Sequence, residues 1–174
     1  MSAYDKIYLM NPLIGHQPVE PNTKEFWEQI RSQTELVLEE TKETLDAAID
    51  EDPQELLDGV ADIMVTAIGL YQKLILSGYQ TPEALERVCD NNLTKFHRDP
   101  EHANETLEYY KEQGIETFVR LVTMQDGTEY YGVINKESGK LLKPHDFVGV
   151  VLSDLVENIE SNWEKIKENE PTEQ

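Results

Sequence analysis

The sequence predicts a mainly α protein: an antiparallel bundle of four helices followed by a small C-terminal β meander. Three observations carry that expectation. Between residues 22 and 114, helix-starting and helix-stopping residues alternate at intervals of about one helix. Within that span, ELLDGVADIMVTAIGLYQKLIL (residues 55–76) is apolar nearly all round, as the central helix of a bundle must be. After Gly114 the texture changes to alternating residues rich in Val, Ile, Tyr and Thr.

The first helix starts in PNTKEFWEQI, with Asn22 or Thr23 as its cap and Glu25 in capping-box spacing, and nothing breaks it before about Ile49. The second starts in DEDPQE, where Asp52 caps, Pro53 takes the first turn and Glu55 completes the box. It stops at Gly78, suited to a left-handed C-terminal cap. The third, TPEALERVCDNNLTKFHRD, restarts after Thr81 with proline at the first helical position. The fourth is capped by Asp99 and closed at Gly114. A meander over about 116–143 follows, with Asp126-Gly127 as its hairpin turn. Leu152, Val156, Ile159, Trp163 and Ile166 recur at helical spacing and predict a last helix over 153–168, before a frayed tail, KENEPTEQ. Residues 1–114 are thus expected to be the helical, metal- and nucleotide-binding part, and 115–174 a β appendage with a C-terminal helix or tail.

Charge narrows the function classes. With 15 basic against 35 acidic residues among 174, the net charge of −20 repels nucleic-acid phosphates, so no nucleic-acid partner is expected. Cys89 is the only cysteine, which excludes a disulfide framework and a thiolate metal site. The four histidines, His16, His97, His102 and His145, show no ligand spacing and receive no role. MSAYDKIYLMNPLIGHQPVE has no basic stretch followed by an apolar core, and so does not read as a signal peptide. Residues 56–76 approach the length of a membrane span, but Asp58, Asp62, Gln72 and Lys73 interrupt them. A soluble cytoplasmic protein with no membrane association is expected.

The aspartates of that central helix pose the chemical question. At about 100° per residue, Asp58, Asp62, Val65 and Gly69 fall within a narrow arc of one face. Carboxylates stacked there repel one another and lose hydration, so a proton or a cation must compensate. The preceding helix carries Glu40 and Glu43 on a face shared with Leu36 and Ala47, and Glu39 flanks it. Antiparallel packing across the turn at 50–53 puts 39–43 beside 58–62. Glu40, Glu43, Asp58 and Asp62 then form an all-oxygen site for a hard cation, Mg2+ or Mn2+.

EETKE (39–43) resembles the EExxE motif of the MazG-like all-α NTP pyrophosphohydrolases, with an acidic pair on the next helix at the expected distance. NNLTKF (91–96) resembles that family's third block, in which an Asn and a Lys three apart face the substrate. LLDGVADIMVTAIGL, YYKEQGI and GKLLKPHDF fit the phage-type and phosphoribosyl-ATP pyrophosphohydrolase-like branch, so the resemblance spans about 24–152. One departure stands out. The family's second motif is ExxD, and its Glu position aligns with Gly59, leaving Asp58 and Asp62 in a DxxxD spacing.

The resemblance implies a four-helix all-α NTP pyrophosphohydrolase-type bundle that hydrolyses a nucleoside triphosphate between its α- and β-phosphates. It implies Glu40, Glu43 and Asp62 as metal ligands with Asp58 as the fourth, and Glu39 orienting or deprotonating water. Lys95 would contact phosphate, Asn92 would hydrogen-bond substrate, and Arg98 would extend their face. It also implies a homodimer or higher homo-oligomer. Two alternatives stay open: a phosphoribosyl-ATP pyrophosphohydrolase, and a non-catalytic acidic interaction protein whose carboxylates would instead be spread over exposed faces.

Overall fold

The computed structural model describes residues 1–168, so most of the tail expected to fray lies outside the described residues. Among those residues the chain forms seven helices and one two-stranded antiparallel sheet. It divides into two units, Met1–Thr81 with Leu152 onward, and Pro82–Val151. The expected boundary after Gly114 falls inside the second unit.

The first unit is built on a helical hairpin, α2 (Lys24–Ile49) and α3 (Pro53–Leu76). Thr23 caps α2 by accepting the amide of Phe26, and Asp52 caps α3 by accepting those of Gln54 and Glu55. The seam between them is lined by small and polar residues. A Cβ added at Gly59 would sit 2.5 Å from Thr44 Oγ1 and 3.2 Å from Thr44 Cα, so only glycine admits this approach of the helices. One end of the seam is tied where Gln33 Nε2 donates to the carbonyl of Thr66 at 3.0 Å, beneath Gly69.

The sequence did not predict α1 (Ala3–Leu13). Its signal was the Ser2–Asp5 capping box, in which each side chain accepts the other's backbone N–H. It docks on α3 through Gln72, whose Oε1 accepts from Asn11 and whose Nε2 donates to the carbonyl of Tyr8. The single helix expected over 153–168 is broken at Glu157–Asn158 into α6 (Ser153–Val156) and α7 (Ile159–Glu168). Leu155, Ile159 and Trp163 from these helices join Ile7, Phe26, Ala47 and Ile68 in the buried core of this unit. The turn after α3 lies against α7: a Cβ at Gly78 would meet the Ile159 carbonyl at 2.7 Å.

α3 is long and apolar enough to cross a membrane by length and composition. It is packed against α2 here, but incompletely. Leu38, Leu45 and Ile49 on α2, and Leu57, Val60 and Met64 on α3, remain exposed. At 100° per residue each triplet is one stripe, so the hairpin presents an apolar face outward.

In the second unit, α4 (Thr81–Leu93) and α5 (Pro100–Glu112) precede a hairpin of β1 (Thr117–Thr123) and β2 (Glu129–Asn135). The register pairs Thr117 with Asn135 and Thr123 with Glu129, with Gly127 at positive φ in the turn. Within this unit α5 packs on the sheet, with Ala103, Thr106, Val133 and Ile134 buried. The four-helix arrangement within one chain is therefore corrected to a helical hairpin plus a separate helix-on-hairpin unit. The expected meander is likewise reduced to two strands and a bridge between Ile134 and Leu141.

Candidate metal and phosphate site

The α2–α3 register decides which carboxylates meet. Close approaches at Thr44/Gly59 and Gln33/Gly69 place residue 40 opposite residues 62–63. On α2, Gln33, Glu40, Thr44 and Ala47 share the seam-facing arc; on α3, Gly59, Asp62, Thr66 and Gly69 do so. Glu40 and Asp62 therefore sit in the seam, both half-buried, while Glu39, Glu43 and Asp58 are exposed at its border.

The electrostatics follow. Partial burial pushes the Glu40 carboxyl above its ordinary value, and the charges of Asp62, Glu43, Glu39 and Asp58, in that order, push it the same way. The four other predicted acidic residues thus act on this one group. Among the described residues no three of these carboxylates bring oxygens within 4.8 Å of one another, as mutual repulsion would have it. The donor set is oxygen only, and its central member favours a neutralised state, so these residues fit a hard divalent cation.

Gly59 accounts for the shifted acidic pair. Its position faces Thr44 across the seam, where no side chain fits, whereas Asp58 projects from the exposed side of the same turn.

Asn92, Lys95 and Arg98 belong to the second unit. α4 ends at Leu93, so the three do not share one helix face: Asn92 lies in the last turn, and Lys95 and Arg98 follow it. Lys95 Nζ donates to Asn92 Oδ1 at 2.6 Å and lies 6.0 Å from the Phe147 ring, which Lys143 approaches from 5.0 Å. These two ammonium groups make a local positive patch in an acidic chain. Arg98 instead stacks on Tyr130 at 4.4 Å. The sequence did not point to Lys143; its proximity to Lys95 arises from a fold contact between residues almost fifty positions apart. Nor did it gather His97, His102 and His145, which the second unit packs ring against ring.

Comparison with known proteins gives a family. Residues 7–88 match the phosphoribosyl-ATP pyrophosphohydrolase family. An uncharacterized protein, L479, of Acanthamoeba polyphaga mimivirus is 33% identical over 89 residues, which is 51% of this chain and 36% of that protein. The chain thus spans little more than a third of the length of this curated relative. No solved structure matches. The matched segment contains all five carboxylates and the whole α2–α3 hairpin. Residues 7–88, a little under half of the chain, are therefore similar to the phosphoribosyl-ATP pyrophosphohydrolase family.

Proposed function

We propose that this protein is a Mg2+-dependent nucleoside triphosphate pyrophosphohydrolase, releasing pyrophosphate and a nucleoside monophosphate. The observation that carries this reading is the placement of Glu40 and Asp62 in a helix seam with three further carboxylates acting on Glu40. An acidic interaction surface has no use for a half-buried carboxylate whose proton affinity is raised by burial and by four neighbouring acids, whereas a cation site does.

Glu40, Glu43 and Asp62 hold the metal, with Asp58 in the place that Gly59 cannot fill. When bound, Mg2+ (or Mn2+) neutralises phosphate oxygens and lowers the pKa of water. Glu39, exposed beside Glu40, orients the attacking water or takes its proton. Lys95 gives a compact cationic donor to phosphate, and Asn92, already holding that ammonium, fixes its direction. Arg98 has a weaker claim to substrate, because Tyr130 engages it.

The exposed stripes on α2 and α3 support a homodimer in which two hairpins pair to make the four-helix bundle that one chain does not complete. Cytoplasmic location suits a nucleotide substrate.

A second reading, hydrolysis of phosphoribosyl-ATP, is favoured by the name of the matched family. Both reactions release pyrophosphate from the same kind of bond. A panel of canonical and modified NTPs and dNTPs, with phosphoribosyl-ATP, assayed for pyrophosphate with and without Mg2+, separates them. Metal-dependent release from triphosphates supports the first reading, release only from phosphoribosyl-ATP supports the second, and no release from either, together with no Mg2+ binding by calorimetry, overturns both.

A further inference from the structure

The second unit carries a cluster that the pyrophosphohydrolase reading does not use. His102 and His145 with Asp146 offer donor atoms that all lie within 4.8 Å of one another. His102 Nε2 is 3.3 Å from Asp146 Oδ1, and the His102 and His145 rings are 5.2 Å apart and nearly perpendicular. A third imidazole, His97, packs against His102 with ring centroids 4.6 Å apart. His97 is only 4% exposed, and its buried Nε2 finds no hydrogen-bond partner among the described residues. An orphaned buried ring nitrogen is costly, and native chains rarely leave one without a purpose.

The surroundings select the ligating atoms. His97 is fixed by its backbone, which exchanges two 2.9 Å hydrogen bonds with Tyr131 on β2. His145 is fixed by Thr106 on α5: Nδ1 lies 3.0 Å from Thr106 Oγ1, and the same oxygen accepts the His145 amide at 3.3 Å. The tautomer in which Nδ1 donates to that hydroxyl leaves the Nε2 lone pair of His145 free for a metal. Such second partners commonly orient metal-bound imidazoles. His145 and Asp146 are exposed and His102 half-exposed, so an ion can enter from solvent.

We propose that His97, His102, His145 and Asp146 form a binding site for a divalent first-row transition metal of the Zn2+ class, which fastens the 143–147 loop to α5 and β2. Imidazole nitrogens suit Zn2+ and its neighbours, whereas Mg2+ prefers all-oxygen sites. Tetrahedral coordination at roughly 2.0–2.1 Å puts ligand atoms about 3.4 Å apart, within reach of small rotamer shifts for His102, His145 and Asp146, while His97 joins them by turning its ring, which packs 4.6 Å from that of His102. The site is chemically distinct from the carboxylates of the first unit, and its role is structural.

The test uses the full chain carrying Glu40→Gln and Asp62→Asn, which removes the competing oxygen site. Zn2+ titration calorimetry and the visible spectrum of the Co2+ form are recorded for this protein and with His145→Gln or Asp146→Asn added. Both added substitutions are at exposed positions, and circular dichroism checks the fold. The expected result is one Zn2+ per chain, undiminished by excess Mg2+, with an intense Co2+ band of tetrahedral nitrogen–oxygen coordination. Either added substitution should weaken Zn2+ by more than the roughly 10- to 100-fold that loss of an outer-shell partner costs. Failure to bind Zn2+, or binding that neither substitution weakens, overturns the proposal.

Discussion

Gly59→Ala tests whether the α2–α3 seam is as close as described, and with it the register that sets Glu40 beside Asp62. The new methyl would lie 2.5 Å from Thr44 Oγ1, 3.2 Å from its Cα and 3.3 Å from its Cβ. Turning the hydroxyl aside does not relieve the Cα approach, and it breaks the 2.7 Å bond from Thr44 Oγ1 to the Glu40 carbonyl. Overpacking of this kind costs about 1–3 kcal/mol. Replacing a mid-helix glycine returns about 0.8–1.0 kcal/mol of helix propensity. The steric term wins, leaving a net loss of up to about 2 kcal/mol, or a melting temperature lower by up to roughly 8 °C for a chain of this size.

Urea and thermal unfolding at fixed protein concentration measure it, since association shifts apparent stability. Adding Thr44→Ala should recover part of the loss, giving a favourable coupling between the two substitutions. Gly69→Ala is the control, because its methyl would meet the end of a flexible amide, Gln33 Nε2, at 3.2 Å and should cost less. A Gly59→Ala protein more stable than the parent by the full propensity gain, with no coupling to Thr44→Ala, would refute the close seam.

Three further outcomes follow from named groups. Because the folded chain raises the proton affinity of Glu40, stability in metal-free buffer should be highest below about pH 4.5 for this group and decline as pH rises through its folded value; Glu40→Gln should remove that slope, read from urea midpoints between pH 4 and 7. His16, its proton affinity lowered by burial and then by the adjacent Lys73, should act in the opposite sense: stability falls as pH drops below about 6.5, where the unfolded chain takes up the proton first, and His16→Gln should flatten that part of the curve. Leu57→Lys, at a position 74% exposed on the apolar stripe, should shift the sedimentation mass from dimer to monomer; a wild-type chain that already sediments as a monomer would end the pairing proposal.

Much of the first unit was legible because its signals are local. Asp52-Pro53, Thr23 and the glycine after Leu76 state helix ends in the chain itself, and the two aspartates on an apolar helix announced a face with a second purpose. Turn length alone set the antiparallel register well enough to place Glu40 near Asp62. What escaped was long-range or weakly periodic. α1 is short, carries Pro12 in its last turn and has little amphipathic character, so only its capping box marked it. α5 carries the same caps as α2 and α3, yet its apolar side suits a sheet, and periodicity does not say which surface a helix will meet. The helix over 153–168 is interrupted at Glu157–Asn158, where no proline or glycine in the sequence marks a break. The histidine cluster joins residues more than forty positions apart, a proximity that no spacing rule reports.

The most direct test of the central claim is product analysis with Glu43→Gln and Asp62→Asn variants on the best substrate of the panel. The account predicts one pyrophosphate and one monophosphate per turnover in the parent, and a loss of kcat of about 100-fold or more in each variant, with helical content unchanged. Release of single inorganic phosphates, or pyrophosphate release that survives both substitutions, would contradict it.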